Sequence, residues 1–395
     1  MKYSSITRRI SGEAVAAWDI HFAAAAAQSR GEDVIVLSIG DPDFATDSEI
    51  CAAACKALAE GDTHYTDMSG RLPLREAIAA RQQKVLGIEC SAEQVAVVAG
   101  TQNGLYSVAT CLFEAPDEVL VPEPMYLTYP ASISAGGATL VPIAQPAEQD
   151  FRLNPQALEA AITPRTRGIA IATPNNPSGN VYSDAELEAI AAVAIKHDLW
   201  VISDEVYDQM TYERAHRSIA TLPGMRERTV IIGSLSKSHA MTGWRVGWVI
   251  GSPELMKHLD NLLLCMFYGL PGFIQQAALK ALELNDKIVE QAKTTFRRRR
   301  DLVVAALQDA PLISCKVPEA GMFMLVDVRK SGLSSMDFAW KLFRETGVSV
   351  LDAEAFGPSC RGFVRLSFTV SDTQLSEACS RIARFTARLQ AEMKR

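Results

Sequence analysis

Between residues 45 and 290, short apolar runs rich in β-branched residues alternate with stretches whose apolar positions recur every three or four residues. The runs Val95–Val98, Glu118–Val121, Thr139–Ile143, Gly168–Ala172, Trp200–Ser203 and Thr229–Gly233 read as strands. Asp184 to His197 reads as one of the helices between them. Strands alternating with helices predict an α/β fold whose large domain holds a mainly parallel sheet flanked by helices. Past Phe296 the rhythm changes. A charged helix from about Gln291 to Leu307 leads into strand-like Gly321–Val328, Val348–Leu351 and Gly362–Phe368, then a last helix. This pattern predicts a smaller α+β domain made from both chain ends. The expected division is an N-terminal arm with part of the small domain over 1–44, a large domain over 45–290 and a small C-terminal domain over 291–395.

Length and composition agree with that division. At ~150 residues per domain, 395 residues make two to three units. A hydrophobic fraction of 48% and a charged fraction of 22% are ordinary for a globular chain, which excludes disorder and coiled coil as the main theme. A formal net charge of -7 argues against a nucleic-acid partner. The run Arg297 to Arg300 does not reverse this, because four successive arginines wrap around a helix and do not face one phosphate backbone; a solvated or salt-bridged helix is expected. No apolar run approaches the roughly 18 residues of a membrane span. Asp19 and His21 interrupt the apolar stretch a secretion signal needs, so this segment reads as a helix of the mature protein. Cys51 and Cys55 share a helix face without a nearby histidine, so no metal is expected, and the eight cysteines fit a reducing cytoplasm.

Chemistry gathers at the strand ends, where a parallel sheet binds its ligands. Gly100-Thr101-Gln102 follows the first strand and opens a helix, offering free N–H donors to an anion. Tyr126 follows the second strand, and Asn175-Asn176-Pro177-Ser178-Gly179 follows Gly168–Ala172. Asp204 and Tyr207 follow Trp200–Ser203; Ser234, Ser236 and Lys237 follow the last strand, with Arg245 eight residues on. Singly, each is ordinary: a strand-end Asp is usually a cap and Asn-Pro a turn. Together they form an anion site, a flat ring, an amide, a carboxylate with a phenol, and an amine with a guanidinium. No glycine fingerprint of a nucleotide-binding loop or dehydrogenase competes, and no zinc-protease motif does.

Pyridoxal 5'-phosphate is the cofactor that needs this set. Its aldehyde takes Lys237 as a Schiff base, and its pyridine nitrogen takes Asp204 as an acidic partner. Tyr207 and Asn176 suit its phenolic oxygen. Thr101, Gln102, Ser234, Ser236 and Arg245 suit its phosphate, and Tyr126 suits its ring face.

Along essentially its whole length the chain resembles the class I aminotransferases, pyridoxal-phosphate enzymes of fold type I. The most specific motifs are Asn176-Pro177-Ser178-Gly179, Ser203-Asp204-Glu205-Val206-Tyr207, and Ser234-Leu235-Ser236-Lys237 followed by Met241-Thr242-Gly243-Trp244-Arg245. The resemblance implies further roles. Arg365 grips the substrate carboxylate beside Gly40, and Tyr65 reaches the phosphate of a neighbouring subunit, so the site requires a homodimer. It implies a ping-pong transfer of an amino group from an L-amino acid to a 2-oxo acid, with Lys237 carrying the α-proton.

Gln102 stands where acid-specific relatives place a cation, which argues against aspartate. The segment Trp18-Asp19-Ile20-His21 and the stretch Leu264 to Gly269 look most like the arginine–pyruvate transaminases. A basic amino acid, with Asp19 holding its distal guanidinium and Trp18 stacking on it, is the expectation. The alternatives are an aspartate or broad-range aminotransferase and a lyase with the same cofactor. A regulator that merely binds the cofactor is disfavoured, since too few residues precede Gly40 for a DNA-binding module.

Overall fold

A computed structural model describes residues 1–11 and 17–395. The arm expected over 1–44 includes residues 12–16, which lie outside the described residues. In chain order the strands are β1 (Ile35–Val36), β2 (Val95–Val98), β3 (Glu118–Glu123), β4 (Thr139–Ala144), β5 (Thr166–Ala172), β6 (Trp200–Asp204) and β7 (Thr229–Ser234). They continue as β8 (Gly247–Ile250), β9 (Ser314–Cys315), β10 (Phe323–Asp327), β11 (Val348–Ser349), β12 (Leu351–Asp352) and β13 (Phe363–Ser367).

The large sheet has seven strands in the order β2-β8-β7-β6-β5-β3-β4. All run the same way except β8, which is antiparallel to both β2 and β7. Its sequence, Gly247-Trp248-Val249-Ile250, follows the lysine loop too closely to announce a separate strand, and the sequence pattern missed it. Successive side chains of β2 go to opposite faces, yet all four are buried, because both faces are covered. Ala96 and Val98 pack with the helices Thr101–Leu112 and Pro253–Met266. Val95 and Val97 pack with Ser48–Ala59, Leu72–Leu86 and Gly272–Glu283.

The expected helix at Asp184 to His197 is Asp184–Lys196. Ser183 accepts a bond from the Glu186 amide while Glu186 accepts one from Ser183, a capping box that satisfies two donors of the first turn. The charged helix starts earlier than expected, at Asn285, and runs to Leu307. Its arginines are paired: Arg298 with Asp372 at 2.8 Å, Arg299 with Asp43 at 2.6 Å, Arg300 with Glu213 at 2.7 Å. Arg299 and Arg300 are buried, so the run is salt-bridged more than solvated.

The smaller α+β part holds the antiparallel sheet β12-β13-β10-β9. The expected strand over Val348–Leu351 divides into β11 and β12, which join different sheets. β11 pairs in parallel with β1, so the N-terminal segment completes this part of the molecule. The helix Asp19–Ser29 packs beside that pair through buried Ile20, Ala24 and Ala27, spaced four and three apart.

Candidate active site

Because β2, β3, β5, β6 and β7 run the same way, the residues after them meet at one edge of the sheet. A cavity of about 350 Å³ opens there, within the size range of small-molecule sites. Of the sequence-derived candidates it is lined by Trp18, Gly40, Thr101, Gln102, Tyr126, Asn176, Asp204, Tyr207, Ser236, Lys237, Arg245 and Arg365. Three candidates lie outside its lining. Ser234 is buried at the end of β7, where its hydroxyl accepts the Ser236 amide at 3.3 Å. Asp19 is exposed at the start of its helix. Tyr65 is 84% exposed and packs against Tyr268, ring centroids 5.3 Å apart.

Lys237 donates from Nζ to the Gly40 carbonyl at 2.7 Å. Burial brings its ammonium down to about 8; Asp41 opposes this, and the cations Arg365 and Arg245 add to it. Asp204, the last residue of β6, also lines the cavity. Burial raises its carboxyl to about 6, against hydrogen bonds from the Tyr129 hydroxyl at 2.7 Å and the Val206 amide at 3.2 Å. Tyr129 is the residue the sequence reading missed. The only signal was its position three residues after Tyr126, which on a helical turn puts both rings on one side.

Arg365 lies in the middle of β13 and is 2% exposed. Its Nη1 donates to Asn176 at 3.1 Å and its Nη2 to the Ser38 carbonyl at 3.0 Å. The guanidinium lies between the rings of Phe323 and Phe356, centroids 5.6 and 5.0 Å away. Asn176 is aimed by its neighbour: the Asn175 side chain donates to Pro124 and accepts from Ser178, which closes the turn. Gln102 is held on the cavity wall by Thr128 and Ser132, each at 2.6 Å.

The phosphate end of the cofactor can be tested against the residues present. Gly100 precedes the helix Thr101–Leu112 with φ of 84°, and no side chain caps that helix. A Cβ on Gly100 would collide with the Arg245 guanidinium. The hydroxyl of Thr101 is buried without a partner among the described residues. Free helix N–H groups, an unpartnered hydroxyl and a guanidinium in one cradle fit a phosphate dianion. Lys237 and Asp204 stand in the same cavity for the aldehyde and the ring nitrogen, so the residues fit pyridoxal phosphate.

Comparisons with known proteins agree. The family model "Aminotransferase class I and II" matches residues 32–382. Arginine–pyruvate transaminase AruH of Pseudomonas aeruginosa is 49% identical over 389 residues, 98% of this chain and 99% of that protein. Aspartate aminotransferase of Bacillus subtilis is 34% identical, covering 91% of this chain and 92% of its own. The solved aspartate aminotransferase of Thermus thermophilus with maleate superposes with a TM-score of 0.92 at 31% identity, covering 97% of this chain and 99% of that one. The chain belongs to the class I and II aminotransferases, transaminases that work with pyridoxal 5'-phosphate.

Proposed function

We propose that this aminotransferase moves the amino group of a basic L-amino acid, arginine foremost, to a 2-oxo acid such as pyruvate. The observation that carries this is the 49% identity with an arginine–pyruvate transaminase over nearly the full length of both chains. The cavity supports it. The cations lining it are Lys237, Arg245 and Arg365, each with a role in the reading below, and the wall at Gln102 is neutral. Among the described residues, a second carboxylate, as in aspartate, would therefore meet no free cation there.

Bound in the cavity, pyridoxal phosphate supplies an aldehyde and an electron-withdrawing ring. Arg245, Ser236, Ser234, Thr101 and Gln102 would hold its phosphate. Tyr126 would cover one face of the ring, while Tyr207 and Asn176 would donate to the phenolic oxygen. Asp204, steadied by Tyr129, would pair with the ring nitrogen and favour its protonated form. Arg365 and the Gly40 backbone hold the substrate carboxylate, which aims the α-hydrogen at Lys237. As a free amine, Lys237 would take that proton and hold it for return. Trp18 covers the substrate side chain. Asp19 approaches a distal guanidinium from outside the cavity lining.

The reading includes a homodimer in which Tyr65 serves the neighbouring subunit's phosphate. Tyr65 and Tyr268 pack together and remain exposed, with Leu264 and Met266 exposed just before Tyr268. That apolar surface suits burial against a second copy. Boundaries at 44/45 and 290/291 and a cytoplasmic location complete it; eight free cysteines favour a reducing compartment. No helix among the described residues is long and apolar enough to cross a membrane.

The test is a half-reaction panel of arginine, lysine, alanine, aspartate and phenylalanine, with amino-group return to pyruvate and to 2-oxoglutarate. Arginine is expected to lead kcat/KM with pyruvate as acceptor. Aspartate leading would support the aspartate reading, and elimination products without keto acid would support the lyase.

A further inference from the structure

Trp18 lines the cavity, and one turn further along the same segment His21 stands behind it, ring centroids 5.7 Å apart and nearly perpendicular. His21 is half-buried, and its Nδ1 lies 3.1 Å from the Ser38 hydroxyl. That hydroxyl lies 3.1 Å from the Ser349 hydroxyl of β11. Ser38 is the residue from which the chain enters the cavity wall as Ile39, Gly40 and Asp41. Its carbonyl accepts Nη2 of Arg365. One residue therefore joins the aromatic wall to the root of the carboxylate-binding end.

We infer that His21 is a positioning residue for substrate selection: through Ser38 and Trp18 it sets how the outer wall stands relative to Arg365. The inference rests on the reading that Arg365 holds the substrate carboxylate. A short side chain such as that of alanine ends near Arg365 and Lys237. A long one runs on along the wall that Trp18 forms, so the position of Trp18 matters to long substrates and little to short ones. Burial and the nearby Arg365 both lower the pKa of His21, which keeps the imidazole neutral beside that guanidinium. A neutral ring suits a spacer that hydrogen-bonds to Ser38 without competing for the substrate carboxylate.

The experiment uses the holoenzyme and two carboxylic acids that lack the reacting amine, guanidinovalerate and propanoate, titrated calorimetrically. His21→Ala is expected to weaken guanidinovalerate about tenfold and propanoate less than about twofold. His21→Asn, whose amide still reaches Ser38, should stay within about threefold of the parent for both acids. Ser38→Ala cuts the same link without touching the helix, keeps the carbonyl that Arg365 uses, and should reproduce the selective loss even if His21→Ala fails to fold. Equal weakening of both acids, a Ser38→Ala protein that discriminates as well as the parent, or a parent that binds the two acids alike overturns the inference. Arginine failing as an amino donor while guanidinovalerate still binds more tightly than propanoate would overturn the proposed substrate and leave the role of His21 standing.

Discussion

An exposed lysine is protonated up to about pH 10.4 and makes a poor nucleophile at neutral pH. Lys237 differs because burial, with Arg365 and Arg245 nearby, brings its ammonium down from 10.5 to about 8. The folded pKa therefore lies below the unfolded one. Between about 8 and 10.5 the unfolded chain holds the proton that the folded chain has lost, so this group adds stability to the ligand-free protein as pH rises through that window. Acylation of Lys237 in ligand-free protein, followed by mass spectrometry of its peptide, should rise with a midpoint near pH 8. A midpoint above 10 would contradict this account of its surroundings. Asp204 is displaced the opposite way, to about 6, by the same burial. Both shifts have one cause, since burial disfavours the charged form of either group.

The helix Thr101–Leu112 shows how an element makes a site. Its first turn lacks a side-chain cap, and the residue before it has a positive φ of 84°. Glycine takes that conformation without a steric cost, and only the missing Cβ leaves room for Arg245. Gly100→Ala should therefore both strain the backbone and push the guanidinium aside. Strain of about 1–3 kcal/mol is the expected scale, with cofactor affinity falling about tenfold or more. A cofactor titration and the Tm of the holoenzyme would check it; unchanged affinity would remove Arg245 and this turn from the phosphate site. The salt-bridged helix Asn285–Leu307 makes a different point. Arg299 reaches Asp43, three residues beyond Gly40, with both ends of its guanidinium, so the salt-bridged alternative expected for this charge run holds and anchors one side of the cavity loop.

Over the whole molecule, the proposed carboxylate end and cofactor end of the cavity come from different sheets. Arg365 belongs to β13 of the small sheet, while Asp204 ends β6 and Lys237 follows β7 of the large one. Movement of one sheet against the other would change both ends of a bound substrate at once. The proposed homodimer adds a third contributor and is testable by mixing subunits. Lys237→Ala and Tyr65→Ala homodimers should both be impaired. Refolding them together should restore activity, because each hybrid holds one site with Lys237 from one chain and Tyr65 from the other. A mixture no more active than the sum of its parts would place Tyr65 outside the neighbouring site.

The order of strands and helices and the residues at the strand ends were legible along the chain. Apolar β-branched runs, turn residues and capping groups act locally, and parallel strands send their carboxyl ends to one edge. This is why Thr101, Tyr126, Asn176, Asp204, Tyr207, Lys237 and Arg245 stand out in the sequence and line one cavity. What depends on long-range pairing was not legible. The antiparallel β8 is recruited between β2 and β7 by edge pairing that its sequence does not signal. Tyr129 and His21 acquire their roles only because Asp204 and Ser38, 75 and 17 residues away, fold against them. Local sequence chose the chemistry; the packing of distant segments decided which side chains hold it in place and how far the walls of the cavity stand apart.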